Sequence, residues 1–149
     1  MSKVREIRTA ITAALRSVHP RVYYERAPDR VAFPYLVFVL NAVNDRNLER
    51  YILDVDGWDA PTDGSTLALE QLMREADYAL HKRVVRVRPV GSFVLPFHYV
   101  EPDPRDGLSF VIYRDRRLTL HDDDVRIRRR KYIYEVRTFE RRRRDYHGW

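Results

Sequence analysis

The chain has 149 residues, 44% hydrophobic and 34% charged, with a formal net charge of +6 and no cysteine. That length holds one domain with a real core, and that composition belongs to a globular rather than a disordered chain. Missing cysteines exclude thiol catalysis, disulfides and thiolate-bound zinc. With no run of about 18 apolar residues, and a start that mixes charge with small apolar residues, neither a membrane span nor a secretory signal is expected.

Taken in chain order, Val4, Ile7, Ile11, Ala14, Leu15 and Val18 recur at helical spacing and predict an amphipathic helix over 3–18, with Ser2 as cap and Pro20 beyond its end. VYYE at 22–25 reads as a short strand and RAPDRVAFP as a loop; Pro34 then sets the start of YLVFVLN at 35–41, apolar on both faces and so covered on both sides. AVNDRNLE is expected to be a turn or projecting hairpin. In the following strand Tyr51, Leu53 and Val55 share a core face, while Arg50, Ile52, Asp54, Asp56 and Trp58 share a mostly wet one.

PTDGST offers Asp63 or Ser65 as cap for a second helix over 67–83, whose apolar stripe is Leu69, Leu72, Met73, Ala76, Ala79 and Leu80, with Glu70 and Arg74 as a surface pair. VVRVR at 84–88 alternates weakly, and SFVLPFHYVEPDP at 92–104 is interrupted by prolines, which favours an edge strand or a bulge. LSFVIYRD, LTLHDDD and VRIRRRKYIYEVRTFE predict two or three more strands, the last with Tyr132, Tyr134 and Val136 on one side and Ile133, Glu135, Arg137 and Phe139 on the other. The whole reads as α+β: a mostly antiparallel sheet with two amphipathic helices on one face, a single domain over 1–140 and a basic tail over 141–149.

The charge is uneven. Residues 126–149 carry ten Lys or Arg against three Asp or Glu, a balance of +7, so residues 1–125 sum to −1. Basicity is a local property of the C-terminal segment, and RIRRRK at 126–131 and RRRR at 141–144, interleaved with Tyr132, Tyr134 and Phe139, invite phosphate binding and base stacking. The competing explanation is that the aromatics fill a core while the arginines meet a neighbouring subunit or acidic partner. Lysine occurs only at 3, 82 and 131, an arginine bias that codon usage explains as readily as bidentate recognition.

Catalytic signals are weak. Asp54 and Asp56 lie on one strand face, and with Glu49 or Asp59 they raise two-metal chemistry. Counted from Asp54, however, a calcium loop fails, since Gly57 falls at its fourth position and Ser65 at its twelfth. HDDD at 121–124 is the composition of an Asp-rich turn, and the five histidines form no HxH or HxxxH pair. Nucleophile elbows, phosphate loops and dinucleotide fingerprints are missing from the sequence, so no enzyme and no cofactor is expected.

One ordered set of stretches does carry a resemblance. An N-terminal helix, RVYYERAPD, FPYLVFVL, the strand YILDVDGWD and then an alanine- and acid-rich helix cover about residues 3–82, and the set resembles the tail terminator, or tail completion, proteins of long-tailed bacteriophages and phage-derived particles. The resemblance implies a virion structural subunit, assembled in the host cytoplasm, that forms a hexameric ring on the tail tube. There it ends polymerisation at the length set by the tape-measure protein and meets the head-tail connector (stopper), with DNA passing through the lumen without sequence-specific binding. Asp54, Asp56, Trp58, Arg128, Arg129, Arg130, Arg141, Arg142, Arg143, Arg144 and Trp149 are the expected partner or subunit contacts, although the arginine-rich end departs from the family's pattern and is not implied by the resemblance. Another neck component, or a nucleic-acid-binding module using the arginine-rich end, is the alternative.

Overall fold

The computed structural model describes residues 3–45, 48–87 and 107–141. Its elements are α1 (Lys3–Arg16), β1 (Val22–Tyr24), β2 (Tyr35–Asp45), β3 (Leu48–Asp59), α2 (Leu67–Leu80), β4 (Arg83–Val87), β5 (Gly107–His121) and β6 (Arg128–Arg141). The six strands form one sheet in the order β1-β2-β3-β6-β5-β4, antiparallel at every pairing except β1 with β2. Both helices pack on the same face, which gives the expected α+β architecture. Among the described residues no helix is long and apolar enough to cross a membrane.

The helices form where apolar spacing demands it. Ile7, Ile11 and Leu15 of α1, four residues apart, are buried, as are all six residues of the α2 stripe. They close over alternate sheet residues, Leu36, Phe38 and Leu40 of β2, Tyr51, Leu53 and Val55 of β3, Phe110 and Ile112 of β5, and Tyr132, Tyr134 and Val136 of β6, in one core cluster. Each large side chain so covered contributes about 1.5–3 kcal/mol of transfer free energy.

Element ends differ from expectation for local reasons. α2 stops at Leu80 rather than at Arg83, because Lys82 takes a left-handed backbone (φ 62°) and its N–H donates to the Ile112 carbonyl on β5 at 2.7 Å. At its other end Thr66 holds the cap position without a side-chain bond; Ser65 Oγ accepts from Leu67 N at 3.3 Å, and Asp63 Oδ1 from Ser65 N at 2.9 Å. AVNDRNLE is largely strand, since the β2–β3 ladder runs on to Asp45 opposite Leu48. The two runs at 108–115 and 118–124 join, as far as His121, in the single strand β5, bulged between Arg114 and Arg116, and residues 122–124 form the turn after it. The proline-rich run at 92–104 lies outside the described residues.

Phe33–Pro34 is a cis peptide, and the Pro34 carbonyl accepts from Arg21 Nε at 3.0 Å and from His19 Nε2 at 2.9 Å. That pins the loop to the foot of α1, so β2 enters the sheet beside β1.

Candidate interface on the open face of the sheet

Strand alternation puts Tyr51, Leu53, Val55 and Gly57 under the helices and Asp54, Asp56 and Trp58 on the opposite face. The register then builds a cluster across three strands: Asp56 lies between Val37 of β2 and Lys131 of β6, and Trp58 lies between Tyr35 and Arg129. Among the described residues no helix covers this side.

The face is less wet than alternation alone predicts. Asp56 is only 9% exposed, and Trp58 is half-buried: Tyr35 stacks on it (centroids 6.0 Å apart, planes 10°) and the Arg129 guanidinium sits 3.8 Å from its ring centroid. Arg129 reaches Asp56 at 3.6 Å, while Lys131 reaches Asp56 at 3.8 Å and Asp54 at 4.0 Å. These are long pairs. Among the described residues Asp56 Oδ1, Trp58 Nε1 and Arg129 Nε are buried without a hydrogen-bond partner. Such atoms are costly to leave unmatched, by about 1–3 kcal/mol each.

Burial pushes the Asp56 carboxyl above the ordinary carboxylate range, and the Lys131 and Arg129 charges pull part of that back. Folding therefore favours the protonated form, so this contribution is fully present below the unfolded pKa and is lost as pH rises through the raised value. The stability gap between the wild-type chain and Asp56→Asn is expected to shift toward the wild type as pH falls from neutral through the carboxylate range. Urea unfolding of both at several pH values reads it, and a gap moving the other way contradicts the assignment.

The three consecutive arginines part company. Arg129 joins the open face, whereas Arg130 turns to the helix side and bonds Glu70 of α2 at 2.6 Å, so Glu70 pairs across to the sheet rather than with Arg74. Arg128 donates to the Val125 carbonyl in the β5–β6 turn. Arg129 and Arg130 each meet a carboxylate, and Arg128 a backbone carbonyl. Arg141 ends β6, and Arg142, Arg143, Arg144 and Trp149 lie outside the described residues.

The acids do not converge. Asp59 is buried on the other face of β3 and its Oδ1 accepts from Ala60 N at 2.8 Å, away from Asp54 and Asp56. HDDD is the turn its composition predicts, with Asp122 Oδ1 accepting from Asp124 N and Asp124 Oδ1 from Arg126 N. Among the described residues no group of three or more His, Asp or Glu is placed to hold a metal.

One constellation escapes the sequence reading. Tyr134, fully buried, donates its hydroxyl to Asp77 of α2 at 2.9 Å; the other Asp77 oxygen takes Arg114 Nη1 at 2.6 Å, and Arg114 N donates to His81 Nδ1 at 2.9 Å. Burial and the adjacent carboxylate raise the Tyr134 pKa, which keeps it a neutral donor. The available clue was that a core-facing tyrosine needs an acceptor, and Asp77 is the last acid of α2.

No family model matches the chain, and no curated protein matches it. Solved structures do share its fold. A chain of the "Virion of native gene transfer agent (GTA) particle" superposes with a TM-score of 0.59 at 12% identity, over 91% of this chain and 96% of that one. A second solved chain, carrying a sequence designation and no functional name, gives a TM-score of 0.59 at 14% identity, over 93% and 97%. At these identities the likeness is one of fold, spanning nearly the full length of both partners.

Proposed function

We propose that this chain is a non-enzymatic virion subunit that caps a phage-type tail tube as a hexameric ring, ends tube growth and presents a surface to the head connector. The observation that carries the reading is the near full-length fold likeness to a chain of a gene transfer agent virion, which agrees with the tail-terminator resemblance of residues 3–82. The open sheet face supports it. A packed helix bearing Glu70 and Asp77 neutralises one side of the sheet, whereas the other side carries a Tyr35–Trp58–Arg129 stack beside Asp56, aromatic and arginine side chains of the kind enriched at subunit contacts.

In this role the ring meets the tail tube protein on one side and the stopper on the other, with the tape-measure protein setting when it binds. DNA passes through its centre without base readout. Asp54 and Asp56 are then contact residues, and the double variant Asp54→Asn/Asp56→Asn is expected to weaken assembly while leaving divalent-cation-dependent nuclease assays as blank as the wild type. Cation-dependent cleavage that vanishes in the double variant would overturn the structural reading.

The direct test adds the purified chain to polymerising tail tube protein and images the tubes. Growth that stops, with the chain at one tube end only, is the expected result. Tubes of unchanged length with bare ends would reject capping.

A further inference from the structure

A second polar feature lies at the β1 edge of the sheet. Between α1 and β1 runs a cleft of about 590 Å³, lined by Arg8, Arg16, Arg26, Tyr24 and Pro28 among others, with no carboxylate in its walls. Each arginine is held without an acid. Arg8 lies over the Tyr24 ring at 4.4 Å, a stacking that leaves the guanidinium edge free to donate, and Arg16 Nη2 reaches the Val22 carbonyl at 3.4 Å. Arg26 has no side-chain partner among the described residues. By contrast, Arg114, Arg126, Arg129, Arg130 and Arg137 of the β5–β6 half each meet a carboxylate.

The same fold offers a matching knob. The β5–β6 turn carries Asp122, Asp123 and Asp124, and its tip, Val125, is 80% exposed. Asp124 is neutralised by Arg126, Nη2 to Oδ2 at 2.9 Å, and Arg128 is held at the Val125 carbonyl, so Asp122 and Asp123 leave the turn with a net charge of about −1. The turn joins the middle strands of the sheet, and β2 and β3 separate it from the cleft. Two different, complementary patches on one chain make a head-to-tail contact, the kind that closes into a ring when its rotation closes.

We infer that the α1–β1 arginine cleft receives the Asp122–Val125 turn of the next copy of this chain, the carboxylates meeting Arg8, Arg16 and Arg26 and Val125 packing on Tyr24 and Pro28. The inference rests on the ring reading and gives it a specific joint. A nucleic-acid backbone is the less suitable occupant: residues 1–125 sum to −1, so no basic track leads a polyanion to a cleft this local.

Charge exchange tests it. Arg8→Glu/Arg26→Glu reverses the cleft, and Asp122→Asn/Asp123→Lys reverses the turn while keeping an acceptor for Asp124 N. Each variant alone, with an unchanged unfolding midpoint, is expected to need at least about tenfold more protein to assemble, by sedimentation. An equimolar mixture is expected to recover assembly, because alternating copies pair Glu with Lys and Arg with Asp; disturbed folding would not produce that rescue. Variants that assemble like the wild type would overturn the joint and leave capping intact, since capping is read on tubes. A wild-type chain that stays monomeric at every concentration, both alone and with tail tubes, overturns it too. So would rings that persist while the cleft variant alone loses salt-sensitive binding to duplex DNA, which would assign the cleft to phosphate.

Discussion

Replacing Gly57 with valine is expected to destabilise the fold by roughly 1–3 kcal/mol, the melting temperature falling by about 2–4 °C for each of them. β3 passes directly beneath α2 at this residue, and a Cβ there would lie 2.5 Å from Met73 Sδ and 3.0 Å from Leu69 Cδ1. Both neighbours are fully buried, so any shift they make has to be taken up inside the core. Alanine should be milder, because the Met73 thioether turns about flexible bonds, whereas valine's branch also meets Leu69. Since Gly57 sits between Asp56 and Trp58, lifting β3 also displaces the open-face cluster. Valine is therefore expected to lose assembly even at temperatures where the chain remains folded. Thermal melts of both variants check this, and a valine variant as stable as the wild type would show that α2 is not packed on Gly57.

The second large effect is Asp77→Ala, expected to remove about 2–3 kcal/mol. It strips the acceptor from a fully buried tyrosine hydroxyl and the carboxylate from Arg114, whose side chain is 27% exposed and can be partly rehydrated. Tyr134→Phe should remove only about 1 kcal/mol, because no polar hydroxyl is then left stranded. In the double variant the two losses are expected to fall short of their sum, the mark of a direct contact. Chemical unfolding of the three variants decides it. Strict additivity would mean that Asp77 and Tyr134 are not coupled.

The two helices and the sheet's core rows were legible because burial imposes a period. Every member of the α2 stripe is buried, and so are Tyr51, Leu53 and Val55 on β3 and Tyr132, Tyr134 and Val136 on β6. What sequence could not supply was pairing. The register that brings Trp58 to Arg129 and Asp56 to Lys131 joins residues more than seventy positions apart, so a face that alternates like a solvated one is in fact half-closed by its own cross-strand partners. The bulge that merges two expected runs into β5, and the Arg130–Glu70 link that removes an arginine from the supposed basic patch, are likewise tertiary events without a local signal. Asp54, Asp56, Trp58 and Arg129 stand out in the sequence by charge and aromaticity alone. Their clustering, with unmatched buried atoms, is information that only the sheet order provides.

The most direct test is the mass of the purified chain by light scattering, alone and with tail tubes, with negative-stain images of each species. A ring with a central hole, in solution or on the tube end, is the predicted result. A chain that remains monomeric in both settings and binds no tube would contradict the account.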